Sequence, residues 1–384
     1  MILSEPPGTG APAPIARPAS LPALTSLRFF LALGVVLFHY QVTMLPAGAT
    51  PIALIERGRL GVDIFFILSG FVLAHVYGPQ VQDGRYDHRE FLVARFARIY
   101  PTHIAMLVLM ALLAGVAILL RQPFASGGYT LAGWLADLTL VQAWFPITPT
   151  EWNGPAWSLS AEWAAYLAFP VFAFVGLKRG RNPWVTIGVA GVLFVVLDAL
   201  YRRMYGEVLT QADFYLGVMR IPAQFLYGIG LQQLSLRLRP RRTMAIAAAT
   251  ASAAAVVLMM ALQADERLTV AVSGLLVLSL AMVSRVGADG PLAHPWALAA
   301  GEASYAIYLA HMPLLVIWKN GVALLRGIDS SYLMTPWEAI VLLSITVAAG
   351  FALHFIWEGP ARRWLRIRLS RAPISPSSLT ERTT

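Results

Sequence analysis

The chain has 384 residues, 58% of them hydrophobic and only 13% charged, with a mean hydropathy of +0.64. Soluble domains carry about 25% charge, so this is a polytopic membrane protein with no room for a sizeable soluble domain. It contains no cysteine, which excludes disulfides, thiolate metal sites and a covalent cysteine relay. The net charge of +9 would suit nucleic acid, but the positions of the charges point to membrane topology instead.

In chain order, residues 1–23 are rich in Pro, Ala and Gly and lack the basic and apolar regions of a signal peptide. They read as a disordered cytoplasmic tail, as do residues 372–384. Between them, 24–371 reads as one membrane domain. Apolar segments near the ~20-residue spanning length fall at 24–44, 60–78, 102–120, 157–176, 183–201, 214–234, 243–262, 268–284, 302–325 and 336–357. The predicted fold is all-α, with about ten transmembrane helices.

A further stretch at 129–145 is short and contains Asp137. If it does not span, the inner segments hold 19 basic residues and the outer ones 7; if it spans, "KRGR" and "RLRPRR" move outside and the bias collapses. The positive-inside rule therefore selects ten spans and cytoplasmic termini. Segment 129–145 becomes an interfacial helix on the outer side, with Trp144 and Trp152 at headgroup depth.

Helix 1, "LTSLRFFLALGVVLFHY", carries Arg28 and His39. A charge inside a membrane helix costs ~2.5–3.5 kcal/mol on insertion scales. Eleven steps return the two side chains to one helix face, ~16 Å apart along the axis. Counting depth from the helix starts places His39 in the outer half, with Glu162 of "WSLSAEW" and Arg220 of "YLGVMRIP" at a similar level. A His–Glu pair at one depth suits general-base chemistry, the carboxylate steadying the imidazolium; a buried structural contact explains it equally.

On the inner side, Arg95 and Arg98 in "RFARIYP" share a helix face and join Arg28 in a three-arginine patch. Guanidinium forks suit phosphates, although positive-inside anchoring also places arginines there. Asp63, in "GRLGVDIFFILSGF", pairs with an arginine or caps its helix, and Ser69 and Gly70 suit close helix packing. His311 lies near mid-membrane, where a lone histidine is commonly a satisfied interhelical hydrogen bond, and Glu358 is spaced for a local salt bridge to Arg362. No Walker, GxGxxG or HExxH motif occurs, and no metal site is predicted.

In order, "LTSLRFFLALGVVLFHY", "GVDIFFILSGFVL", "RFARIYP", "WSLSAEWAAY" and "SYAIYLAHMPLL" resemble membrane acyltransferase family 3, as does the closing "WEGPARR". The resemblance spans roughly 24–315 and is specific for family, not for substrate. It implies transfer of an acyl group, usually acetyl, from cytoplasmic acyl-CoA to a hydroxyl on an outer-face acceptor. The acceptor class is a glycan or lipid-linked sugar, and the location the inner membrane of a bacterium. His39 matches the family's proposed catalytic histidine, Arg28 its paired arginine, and Arg95 and Arg98 the donor-engaging Arg-x-x-Arg. Glu162 is the expected partner of His39. Asp63, Asn153, Trp157, Ser160, Arg220, Tyr305 and His311 are candidates for acceptor binding or support. An appended hydrolase-like outer domain, which some members carry, is not recognisable.

The competing reading is a transporter of lipid-linked saccharides, whose intramembrane charges would line a pathway. It would not need an arginine cluster aligned with a deeper histidine. A non-catalytic scaffold would leave Arg28, His39, Glu162 and Arg220 without a purpose.

Overall fold

A computed structural model describes residues 20–119, 129–145, 152–178 and 182–370. The expected tails lie outside these ranges except at their start, where helix α1 (Pro22–Met44) begins inside the expected tail. There Ala23 donates its backbone N–H to Ser284 and Asp289, tying the chain down at once. A short turn of helix, α2 (Ala53–Glu56), runs through a tight turn at Arg57–Leu60 into α3 (Gly61–Gln82). Next come α4 (His88–Leu119) and the short α5 (Leu131–Thr139). A broken span follows, α6 (Trp157–Leu167) and α7 (Phe169–Gly176), bent by 62°. Pro170 sits at the break, where its missing N–H costs no helical bond.

The remaining elements are α8 (Pro183–Tyr205), α9 (Ile221–Arg237), α10 (Arg242–Ala261), α11 (Glu266–Arg285), α12 (Pro295–Arg326), α13 (Pro336–Leu353) and α14 (Gly359–Leu369). A π-helical turn, His354–Glu358, joins the last two. Local sequence sets many of these starts. Proline stands in the first turn of α1, α8, α12 and α13, and Thr335 with Glu338 forms a reciprocal capping box on α13.

Eight described helices are long and apolar enough to cross a membrane, nine if the bent pair counts as one span. Helix α9, with 17 residues, covers the remaining expected segment. Contacts between helix ends sort the described chain into alternating passes between two faces. On one face Thr43 accepts from Met334, and Gln41 bonds Ile52. On the other, Ala23 meets Ser284, Arg285 meets Ser235, Gln233 meets Gly176, and Arg98 meets Glu358. The basic loops cluster on this second face, hereafter the basic face, and both ends of the described chain lie there. Helix α5, at nine residues, is too short to cross.

Lipid offers no hydrophobic gain for pressing two apolar helices together, so close backbone approach must supply the contact. At Gly70 on α3, a Cβ would fall 2.0 Å from the carbonyl oxygen of Phe225 on α9. At Gly301 on α12, it would fall 2.0 Å from the carbonyl oxygen of Thr25 on α1. The first brings α3 against α9, and the second, with the His39–His311 contact further along, sets α12 parallel to α1.

Candidate active site

Toward the basic face, α1, α3, α4, α6 and α12 enclose a cavity of about 170 Å³. Arg28, Arg95, Arg98, Ser69, Glu162 and Tyr305 line it, and apolar Val62, Phe66 and Leu159 line its deeper part with Ser158 and Tyr308. Each arginine is held differently. Arg98 donates to Glu358 at 2.7 Å and lies over the Tyr305 ring, 5.5 Å from its centroid. Glu358 is 1% exposed and also meets His354 at 3.1 Å, so its bond to Arg98 reaches across 260 positions in addition to the local spacing with Arg362. Arg95 lies over Tyr77, 5.8 Å from the ring centroid. The Nε atoms of Arg28 and Arg95 are buried without partners among the described residues. Buried donors are almost always paired; unpaired guanidinium donors facing a cavity have the chemistry of an anion site.

His39 lies further along α1, in contact with His311 of α12. Nε2 of His311 is 3.2 Å from Nδ1 of His39, which also lies 2.9 Å from the Val35 carbonyl oxygen. The protonation pattern follows from which atoms can accept. Nδ1 of His311 meets the carbonyl oxygen of Tyr308, which only accepts, so this nitrogen carries the proton. The neutral His311 ring then offers Nε2 as an acceptor, and His39 donates from Nδ1. That leaves Nε2 of His39 with a free lone pair, the atom a base or nucleophile needs. Tyr308 links the two regions, because its ring lines the deep end of the cavity and its carbonyl holds His311.

The predicted His39–Glu162 pair does not form. Glu162 lies among the arginines, accepting from Ser69 at 2.8 Å and from Tyr166. The depth count failed at its origin. Helix α6 does not start at the face, because the chain before it dips into the bundle: Asn153 is 2% exposed and donates to the Leu309 carbonyl. Trp157 is already buried against Phe66 and under the Arg220 guanidinium, 4.8 Å away. Glu162 therefore sits deeper than the count implied.

Arg220 is held by Asp63. It forms a two-pronged ion pair with Asp63, at 3.3 and 2.5 Å, and donates to the Ala212 carbonyl. Gln224 completes the Asp63 shell at 2.6 Å. Of the two readings for Asp63, pairing is the one realised. Ser160 bonds the Leu140 carbonyl and the Ala143 amide, fastening the stretch after α5 to α6. Tyr305 donates to the Ile99 carbonyl. Ser69, Tyr166, Ser158 and Glu358 were not singled out as site residues in the sequence. Only the i,i+3 step from Tyr308 to His311, and i,i+4 from Glu162 to Tyr166, hinted at their alignment.

The geometry is that of a helical membrane protein with an arginine-lined cavity toward its basic face and a pair of imidazoles, His39 and His311, further along α1 and α12. Residues 21–355 match the profile described as an acyltransferase domain, and the chain belongs to the acyltransferase-3 family. It is an integral membrane acyltransferase. Acyltransferase MdmB of Streptomyces mycarofaciens is 31% identical over 378 residues, covering 91% of this chain and 93% of that protein. Exopolysaccharide production protein ExoZ of Rhizobium meliloti is 29% identical, over 81% and 92% of the two chains. Putative peptidoglycan O-acetyltransferase YrhL of Bacillus subtilis is 23% identical, over 89% of this chain but 55% of its own length. No solved structure matches. Family membership replaces the transporter reading.

Proposed function

We propose that this enzyme takes an acyl group, in the first instance acetyl, from acyl-CoA at the basic face and passes it to a sugar hydroxyl near the opposite face. The basic face is cytoplasmic by the positive-inside rule. In this reading the enzyme sits in the inner membrane of a bacterium, with a cell-envelope or exported glycan, or a lipid-linked sugar, as acceptor. The names of ExoZ and YrhL favour that acceptor class. The observation that carries the reading is Arg28, whose buried Nε lacks a partner on the cavity wall while His39 stands on the same helix. The ~16 Å between them approximates an extended pantetheine arm.

In the direct route, Arg28, Arg95 and Arg98 hold the donor phosphates. Nε2 of His39 takes the proton of the acceptor hydroxyl as its oxygen bonds the thioester carbon. The carbon–sulfur bond breaks, and the thiolate leaves and is protonated. Donation from Nδ1 of the resulting imidazolium to His311 and to the Val35 carbonyl spreads its charge, the task expected of Glu162. In the two-step route the same Nε2 attacks first. Purified protein in proteoliposomes, given radiolabelled acetyl-CoA, should transfer or hydrolyse acetyl. Mass spectrometry of glycan and lipid fractions, with and without the active gene, identifies the acceptor. An enzyme inert toward every acyl-CoA would overturn the donor assignment.

A further inference from the structure

Freed from His39, Glu162 needs another purpose. Its Oε1 is fixed by Ser69 and Tyr166, so the carboxylate has a set direction. Both of its hydrogen bonds to described residues fall on Oε1, and Glu162 lines the cavity, which leaves Oε2 for a ligand. A half-free carboxylate in an arginine-lined wall opposes a ligand that is only an anion. It favours one that carries an N–H or O–H donor close behind its phosphates.

The order along α6 says where that donor would lie. Tyr166 is at the arginine end, whereas Leu159 and Ser158 belong to the deep end with Val62, Phe66 and Tyr308. Glu162 stands between. A molecule with phosphates among the arginines and its reactive end near His39 must thread past Oε2.

We propose that Glu162 is a recognition subsite for the arm of the donor, its Oε2 accepting a hydrogen bond from a secondary amide or hydroxyl that follows the phosphate. The ligand class is thus a phosphate ester bearing an amide-containing chain. The inference rests on the acyl-CoA reading above. The alternative is that Glu162 only balances the arginine charge.

Calorimetry with CoA and with ADP, which lacks the arm, separates the two. A hydrogen bond to a charged group supports about tenfold or more in affinity. Glu162→Leu should weaken CoA about tenfold or more relative to ADP, while Glu162→Gln, which keeps an acceptor oxygen, should hold the CoA-to-ADP ratio within about threefold. A mere counter-charge would make both variants bind both ligands more tightly with the ratio unchanged, which overturns the subsite. If Glu162→Leu fails to fold, the wild-type protein still decides. It should prefer phosphopantetheine over an alkyl phosphate of equal length by about tenfold, and equal affinity sinks the proposal. Wild-type protein that binds neither CoA nor ADP overturns the donor reading as well, whereas wild-type protein that binds CoA with an unaltered ratio in Glu162→Leu removes the subsite alone.

Discussion

Replacing Arg28 with alanine should weaken the donor without weakening the fold. The buried Nε of Arg28 has no hydrogen-bond partner among the described residues, so its removal breaks no bond there. Keeping an arginine inside a membrane helix costs ~2.5–3.5 kcal/mol on insertion scales, so the variant should unfold at the wild-type temperature or slightly above it. Charge-assisted bonds to phosphate contribute ~1.5–3 kcal/mol, so CoA affinity should fall by about 10- to 150-fold. Arg220→Ala supplies the contrast. It strands Asp63, which is 0% exposed and ion-paired to Arg220. Losing one partner of a buried pair costs ~3–5 kcal/mol. Thermal unfolding in detergent and CoA calorimetry on both variants test the distinction. If Arg28→Ala destabilises as much as Arg220→Ala, or binds CoA normally, Arg28 is a structural anchor and the donor-site argument fails.

His39→Ala should bind CoA and melt like the wild type but lose acetyl transfer by ~10²–10⁴-fold, the usual loss on removing a general base. His311→Leu should lower kcat with donor KM unchanged, and His311→Gln, which offers an acceptor near the Nε2 position, should recover part of it; equal losses in both variants would reduce His311 to packing. Because the chain has no cysteine, Ser331→Cys and Asp83→Cys report topology cleanly. An impermeant maleimide added to intact cells should label the former only, and the reverse pattern would invert the membrane orientation. Asp265 caps α11 through the Arg267 amide, and its contact with the Arg267 side chain pulls its carboxyl down to about 2. A carboxyl depressed from 3.8 contributes fully above that value and loses its contribution as pH falls toward 2. Asp265→Ala should therefore cost about 1 kcal/mol of stability near neutral pH, leave transfer unchanged, and flatten the acid limb of the melting curve.

Much of the fold was legible because lipid imposes few rules and strict ones. Segment length and the arginine bias gave the alternation of passes, and the short, Asp137-bearing stretch is a helix of only nine residues. Arg28, Arg95 and Arg98 were legible as a patch because their spacing and the arginine bias both put them toward one side of the membrane, and all three line one cavity. The partners across the bundle were not. His39 and His311 are separated by 272 positions and Asp63 and Arg220 by 157, and no local pattern encodes such pairings. Glu162 was misplaced for a specific reason: depth was counted from Trp157 as though a helix began at the membrane face. The buried Asn153 turn shows that it begins within the bundle.

Helix α1 acts as a ruler only if its neighbours hold it still. Two backbone contacts do so: the turn at Gly58 against Gly34, and Gly301 of α12 against Thr25. The second matters more for chemistry, because α12 supplies both His311 and Tyr305, the companions of His39 and Arg98. A methyl group at position 301 would lie 2.0 Å from the Thr25 carbonyl oxygen, and backbone on both sides cannot yield as a flexible side chain could. Helix α12 must move off α1 along their shared length. Gly301→Ala should then lose donor affinity and transfer together, with a lower melting temperature, whereas Arg28→Ala and His39→Ala lose them separately. Calorimetry and radiolabelled transfer on the three variants decide the matter. If Gly301→Ala keeps both functions, the α1–α12 contact does not set the spacing, and the cavity and the histidine pair are positioned by α3 and α4 instead.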